Sequence, residues 1–149
     1  MIDSDGAVVH EVHIGLPPEE VFEFFTDPQR LVRWIGLSAS LEPVAGGEFR
    51  FEVQPGQFCE GAYVEVRPPT FVSFTWGWTD PGWNLPPGSS LVSIELVAEG
   101  NGTRVRLTHS QLPGDLRPIH DEGWTTFLNR LIATTGGREP TAYPPSGRQ

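Results

Sequence analysis

The sequence predicts an α+β domain in which a curved antiparallel sheet of six to seven strands wraps a long C-terminal helix, with two short helices after the first strand. Runs with apolar residues at every second position recur along the chain between Gly and Pro turn signals, the pattern of half-buried strands joined by hairpins. Two proline-started segments with clustered aromatic residues interrupt the strands early. One late segment instead carries apolar residues three and four apart, the spacing of a helix face.

The first strand runs from Ala7 to Ile14, where alternation sets Val8, His10, Val12 and Ile14 on one face. Pro17 and Pro18 stop it. Pro18 opens a helix whose acids Glu19 and Glu20 suit its positive end, and Val21, Phe22, Phe24 and Phe25 give it an apolar side. Asp27 and Pro28 start a second short helix ending near Trp34. Strands are then predicted from Ala39 to Val44, Glu48 to Gln54, Phe58 to Val66, Phe71 to Trp78, Leu91 to Ala98 and Thr103 to His109. The alternation is cleanest in the second of these, with Phe49, Phe51 and Val53 on one side and Glu48, Arg50 and Glu52 on the other. The terminal helix is placed from Asp115 to Thr135, with Asp115 as its cap, Pro118 in its first turn and Gly136 as its stop. Its stripe is Leu116, Ile119, Trp124, Phe127, Leu128 and Leu131. Residues 136 to 149, rich in Gly, Pro and Arg, read as a disordered tail, which leaves 1 to 135 as one domain.

Composition narrows the function. A net charge of −9, from 19 acidic against 10 basic residues, repels phosphate backbones and anionic lipid, so neither nucleic acid nor membrane is an expected partner. The start of the chain carries acids where a signal peptide needs cations, and no segment approaches the roughly 20 apolar residues of a membrane span. A cytoplasmic protein is expected. The lone Cys59 has no internal disulfide partner and reads as a small half-buried hydrophobe. His10 and His13 form an HxxH string, but a separation of three puts them on opposite faces of a strand. With no Cys/His cluster, phosphate-cradling loop or nucleophile elbow, no metal or cofactor is expected.

The stretches LPPEEVFEFFTDPQRLVRW, PVAGGEFRFEV, EGAYVEVRPPTFVSFTWGW, GTRVRLTHSQLP and HDEGWTTFLNRL, in order from Leu16 to Leu131, resemble the SRPBCC (START-like, Bet v 1-like) superfamily. Within it, the chain is similar to the domain of activators of heat-shock protein 90 ATPase, in its stand-alone bacterial form. The resemblance implies a helix-grip fold, in which the sheet grips the C-terminal helix and leaves an internal cavity open at one end.

Five tryptophans are more than a core of this size needs. Trp76 and Trp78 share a predicted strand face with Val72 and Phe74, Trp124 looks toward that sheet from the helix, and Trp83 in a Gly/Pro-rich loop is placed to cover a cavity mouth. Plain core packing competes for each, and most clearly for Trp34. Glu60, in register with Phe58, Ala62, Val64 and Val66, is a candidate carboxylate in an apolar interior, against the reading that it stands at a wet strand end. His109 and His120 are candidates for a titratable pair near the cavity, against separate hydrogen bonding to backbone or water. The expected ligand-binding set is Phe51, Phe58, Glu60, Trp76, Trp78, Trp83, His109, His120, Trp124 and Phe127, and no catalytic residue is assigned. Binding of a small hydrophobic or aromatic molecule is the expected activity. A protein-interaction module of co-chaperone type is the first alternative, and a cyclase or lyase acting on a polyketide or polyphenol the second. The chain is expected as a monomer or homodimer.

Overall fold

The structure is a computed structural model that describes residues 1–136, so the predicted tail at 136–149, apart from Gly136, lies outside the described residues. The order is β1 (Val8–Ile14), α1 (Pro18–Glu23), α2 (Pro28–Leu31), β2 (Ser38–Leu41), β3 (Glu48–Gln54), β4 (Gln57–Arg67), β5 (Phe71–Trp76), β6 (Ser90–Glu99), β7 (Gly102–Ser110) and α3 (Arg117–Thr135). Among the described residues one seven-stranded antiparallel sheet is formed, in the order β1-β7-β6-β5-β4-β3-β2, with α3 against its inner face. This is the α+β, helix-grip arrangement that the sequence predicts. No helix of the described residues is long and apolar enough to cross a membrane.

Strands with strict alternation form as expected. In β3, Phe49 and Phe51 are buried while Glu48 is exposed. In β7, Val105, Leu107 and His109 are buried between outward Arg104, Arg106 and Thr108. The strand β2 is shorter than predicted and lies at one edge of the sheet. The other edge, β1, is partly covered by the preceding chain, through a bridge between Ile2 and Val8 and a Val9 N–H donated to Met1 O at 2.8 Å.

The phase of β4 corrects the sequence reading. Its inner face carries Cys59, Gly61 and Tyr63, and an irregularity between Tyr63 and Glu65 shifts the register. Phe58 and Glu60 therefore point outward. The run Phe58, Ala62, Val64, Val66 looked like one apolar face, but Val66 reaches the core only because the bulge inserts an extra residue. Cys59 is fully rather than half buried, and burial pushes its thiol up.

The helices α1 and α2 are tied to both layers by side chains that reach backbone carbonyls. Trp34 Nε1 donates to Phe24 O at 3.0 Å and Tyr63 Oη to Phe25 O at 2.9 Å. From α3, Arg130 Nε donates to Trp34 O at 3.0 Å. Two details of α3 also differ from expectation. A short 3-10 turn over Gly114–Leu116 precedes it, so Asp115 falls inside that turn and Leu116, not Asp115, is the cap position. Ile119 is 41% exposed, because at about 100° per residue it falls on the flank of the buried stripe. His120, Trp124, Phe127, Leu128 and Leu131 make up that stripe instead.

The strand predicted to reach Trp78 ends at Trp76, and Gly77 makes the turn of chain that follows. A Cβ at Gly77 would lie 1.8 Å from Pro86 O, so only glycine lets the returning loop pass. Trp78 then bridges Cys59 as an isolated pair and donates its N–H to Leu85 O at 2.7 Å. Gly77→Ala is expected to cost at least about 2 kcal/mol in chemical denaturation. Gly114→Ala, where an added Cβ meets nothing within 4 Å, should stay within about 0.5 kcal/mol. Equal stabilities of the two variants would contradict the close approach.

Candidate functional site

The inner face of β5 carries Val72, Phe74 and Trp76, and the bridge to Cys59 keeps Trp78 beside them. Ring contacts then run continuously from sheet to helix. Phe49 stacks on Phe74 with centroids 3.9 Å apart, Phe51 meets Trp76 at 5.4 Å, Trp76 meets Trp78 at 5.3 Å, and Trp124 of α3 meets Trp76 at 5.0 Å. Trp83, in a 3-10 turn at Pro81–Trp83, stacks on Trp78 at 5.2 Å and 26°. Asp80 caps that turn by accepting the Gly82 N–H.

Two histidines join this aromatic pile, with ring centroids 5.2 Å apart and planes at 90°. Trp124 Nε1 donates to His109 Nδ1 at 3.0 Å, so the His109 proton sits on Nε2 and is directed to Ser90 Oγ at 2.9 Å. The Ser90 hydroxyl in turn donates to Trp76 O at 2.8 Å. His120 Nδ1 lies 2.9 Å from Leu116 O, which can only accept, so Nε2 is left to accept from Trp78 Nε1 at 3.1 Å. Both imidazoles are thus neutral acceptors of an indole N–H, with opposite tautomers. Burial, and next to it the neighbouring His120, holds His109 well below the usual imidazole range.

Trp76 stands apart from this network. It is 2% exposed and its Nε1 is a buried donor with no hydrogen-bond partner among the described residues. Trp76 also lines a cavity of about 20 Å³ between sheet and helix, walled by His120, Gly123, Trp124 and Phe127, with Trp83 and Ile119 completing it. The cavity lies where the fold implies one, but it has room for about one water molecule.

Of the ten expected residues, Trp76, Trp83, His120, Trp124 and Phe127 line this cavity. Trp78 and His109 stand behind its wall and orient it, and Phe51 is fully buried in the core beside Trp76. Phe58 and Glu60 are not part of it. Arg50 lies 3.8 Å over the Phe58 ring and pairs with Glu60 at 2.8 Å on the outer face of the sheet. That placement separates Glu60 from both histidines. Sequence reasoning left Ser90 and Gly123 unmarked and took Ile119 only as a member of the helix stripe. A glycine inside a helical pattern signals a packing reason and could have flagged Gly123, whereas nothing in the sequence marks Ser90. His10 pairs with Asp121 at 2.8 Å and His13 lies 3.2 Å from Glu99 O, on opposite faces as expected. No group of three or more metal-ligating side chains occurs among the described residues.

The neutral state of His109 fixes a sign for pH dependence. The unfolded chain takes up this proton near pH 6.5, the folded chain only well below it, so stability present above that value is lost as pH falls through it. The stability of the protein should decline below about pH 6.5 with a contribution of roughly 1.4 kcal/mol per pH unit from this one proton. His109→Gln should remove that part of the slope. Unfolding curves from pH 7.5 downward check it, and identical slopes for both proteins would contradict the assignment.

The chain matches the family described as Activator of Hsp90 ATPase homolog 1-like protein over residues 15–136. Among solved structures, it is 38% identical to an AHSA1-like protein from Rhizobium etli, covering 100% of this chain and 95% of that one with a TM-score of 0.72. It is 25% identical to DynU16, a protein of the dynemicin biosynthetic locus, with a TM-score of 0.76 over 93% of this chain. It spans only 50% of the DynU16 chain. It is also 25% identical to an HSP90 activator from Plasmodium falciparum, covering 87% of this chain and 96% of that one with a TM-score of 0.71. No curated protein sequence matches the chain. The family match spans most of the described residues, takes in the strands and α3 that build the cavity, and agrees with the helix-grip architecture: the chain belongs to the family of activator of Hsp90 ATPase homolog 1-like proteins, within the SRPBCC superfamily.

Proposed function

We propose that the protein binds a small hydrophobic or aromatic molecule bearing a hydrogen-bond acceptor between α3 and the sheet. The observation that carries this reading is the Trp76 indole in the wall of an aromatic cavity, a buried N–H with no acceptor among the described residues. Leaving such a donor unmet costs about 1–3 kcal/mol, which an incoming carbonyl or ether oxygen recovers. The surrounding rings of Trp124 and Phe127 offer flat apolar contact, and His120 is held in place by Leu116 O and Trp78. A cavity of about 20 Å³ is smaller than any such ligand, so binding displaces part of the wall. DynU16 belongs to a biosynthetic locus, a setting of small organic molecules that agrees with this reading. A cytoplasmic location accompanies it.

A protein-interaction role is the second reading, favoured by the family match and by the likeness to the Plasmodium falciparum HSP90 activator. Stimulation of an Hsp90 ATPase by the purified chain would support it. A cyclase or lyase that used Glu60 with a histidine as acid and base is disfavoured, because Glu60 pairs with Arg50 on the outer face of the sheet.

Titration with acetylnaphthalene and with its hydrocarbon counterpart isopropenylnaphthalene tests the reading through tryptophan emission and melting temperature. The ketone should bind about fivefold more tightly than the hydrocarbon, and Trp76→Phe should abolish that difference. If neither compound, nor any member of a wider set of aromatic metabolites, moves emission or melting temperature, ligand binding at this site is wrong.

A further inference from the structure

We infer that the aromatic cavity and the surface groove beside it are two halves of one site. In this arrangement the cavity takes a flat, acceptor-bearing end of the ligand, the groove takes a cationic end, and Trp83 is the partition between them. The inference rests on the ligand-binding reading above and extends it to the class of ligand.

The groove has a volume of about 540 Å³ and is open to solvent. It shares Trp83 and Ile119 with the small cavity, so these two side chains stand between the two spaces. Its polar rim is Gln54, Gln57, Asp80, Asn84 and Asp115. Among the described residues that rim holds carboxylates and amides and no arginine. One oxygen of Asp80 accepts the Gly82 N–H at 2.9 Å, which fixes the carboxylate at the rim. The net charge of −9 adds a long-range field of the same sign. An ammonium group is favoured in this groove and a carboxylate is repelled.

Trp83 is also the wall most easily moved. The indoles of Trp34, Trp78 and Trp124 each donate a buried hydrogen bond. The Trp83 side chain is held by ring contacts alone, to Trp78 at 5.2 Å and to His120 at 5.7 Å, among the described residues. Turning it outward breaks no hydrogen bond of its indole and joins the groove to the unmet Trp76 donor. The second observation that points to a ligand is that donor itself, in a residue 2% exposed, on the far side of Trp83 from the acids. Trp76 meets Trp78 at 5.3 Å and Trp78 meets Trp83 at 5.2 Å, so the ring that carries the donor stands two ring contacts from Trp83.

Three matched probes test the inference: para-propoxyacetophenone, its analogue ending in trimethylammonium and its analogue ending in carboxylate. With the full chain, calorimetry should rank them cation, neutral, anion, with steps of roughly fivefold. The steps should collapse in the Asp80→Asn/Asp115→Asn double variant and in about 0.5 M salt. Trp83→Ala should speed association of all three in stopped-flow emission. Equal affinity for the three probes, or an unchanged association rate in Trp83→Ala, overturns the inference and leaves simple ligand binding standing. Failure of every probe to bind both wild type and Trp83→Ala overturns both. Circular dichroism and melting temperature confirm that each variant is folded.

Discussion

Two indole-to-imidazole hydrogen bonds hold the C-terminal helix to the sheet, and much of the structure around the site depends on them. They run in opposite senses: Trp124 of α3 donates to His109 of β7, and Trp78, just beyond β5, donates to His120 of α3. A helix packed by dispersion alone can slide or rotate by small steps at little cost. Two crossed polar links in a low-dielectric interior forbid that, because any shift strands two donors and two acceptors at once. They also dictate the charge of the interior, since an imidazole that accepts from an indole must be neutral at that nitrogen. The tautomers follow from the far side of each ring, Ser90 for His109 and Leu116 O for His120.

The same links explain why Trp76 is left over. His109 faces its ring at 5.4 Å edge-on but gives its nitrogens to Trp124 and Ser90. The carbonyl of Trp76 is satisfied through Ser90, whereas its indole is not satisfied at all among the described residues. An interior that settles so many neighbouring donors and leaves one at a cavity wall concentrates unmet hydrogen-bonding capacity at a single point.

Period-two patterning makes much of this legible in the sequence. The faces of β3 and β7, including the inward place of His109, follow from alternation alone, and the stripe of α3 follows from three-and-four spacing apart from Ile119. The β4 strand was illegible because its phase is set by tertiary demands. Gly61 would place a Cβ 1.9 Å from Thr75 O, so this inward position accepts only glycine, and Tyr63 turns in to reach Phe25 O. Phe58 tolerates the outer face because the Arg50 guanidinium covers it. The size of the cavity was equally hidden. It depends on Trp83 folding back onto Trp78, a contact between loop and strand that no local spacing encodes.

The edges of the sheet bear on how the chain behaves in a crowded solution. An open strand edge is a template on which another chain can add a strand, the first step of edge-to-edge aggregation. Here β2 offers only the four residues Ser38–Leu41, too short a run for a stable added strand. At the other side the segment around Met1 and Ile2 already occupies part of β1. A sheet left unclosed by the helix it wraps thus offers another chain one short edge and one partly covered edge.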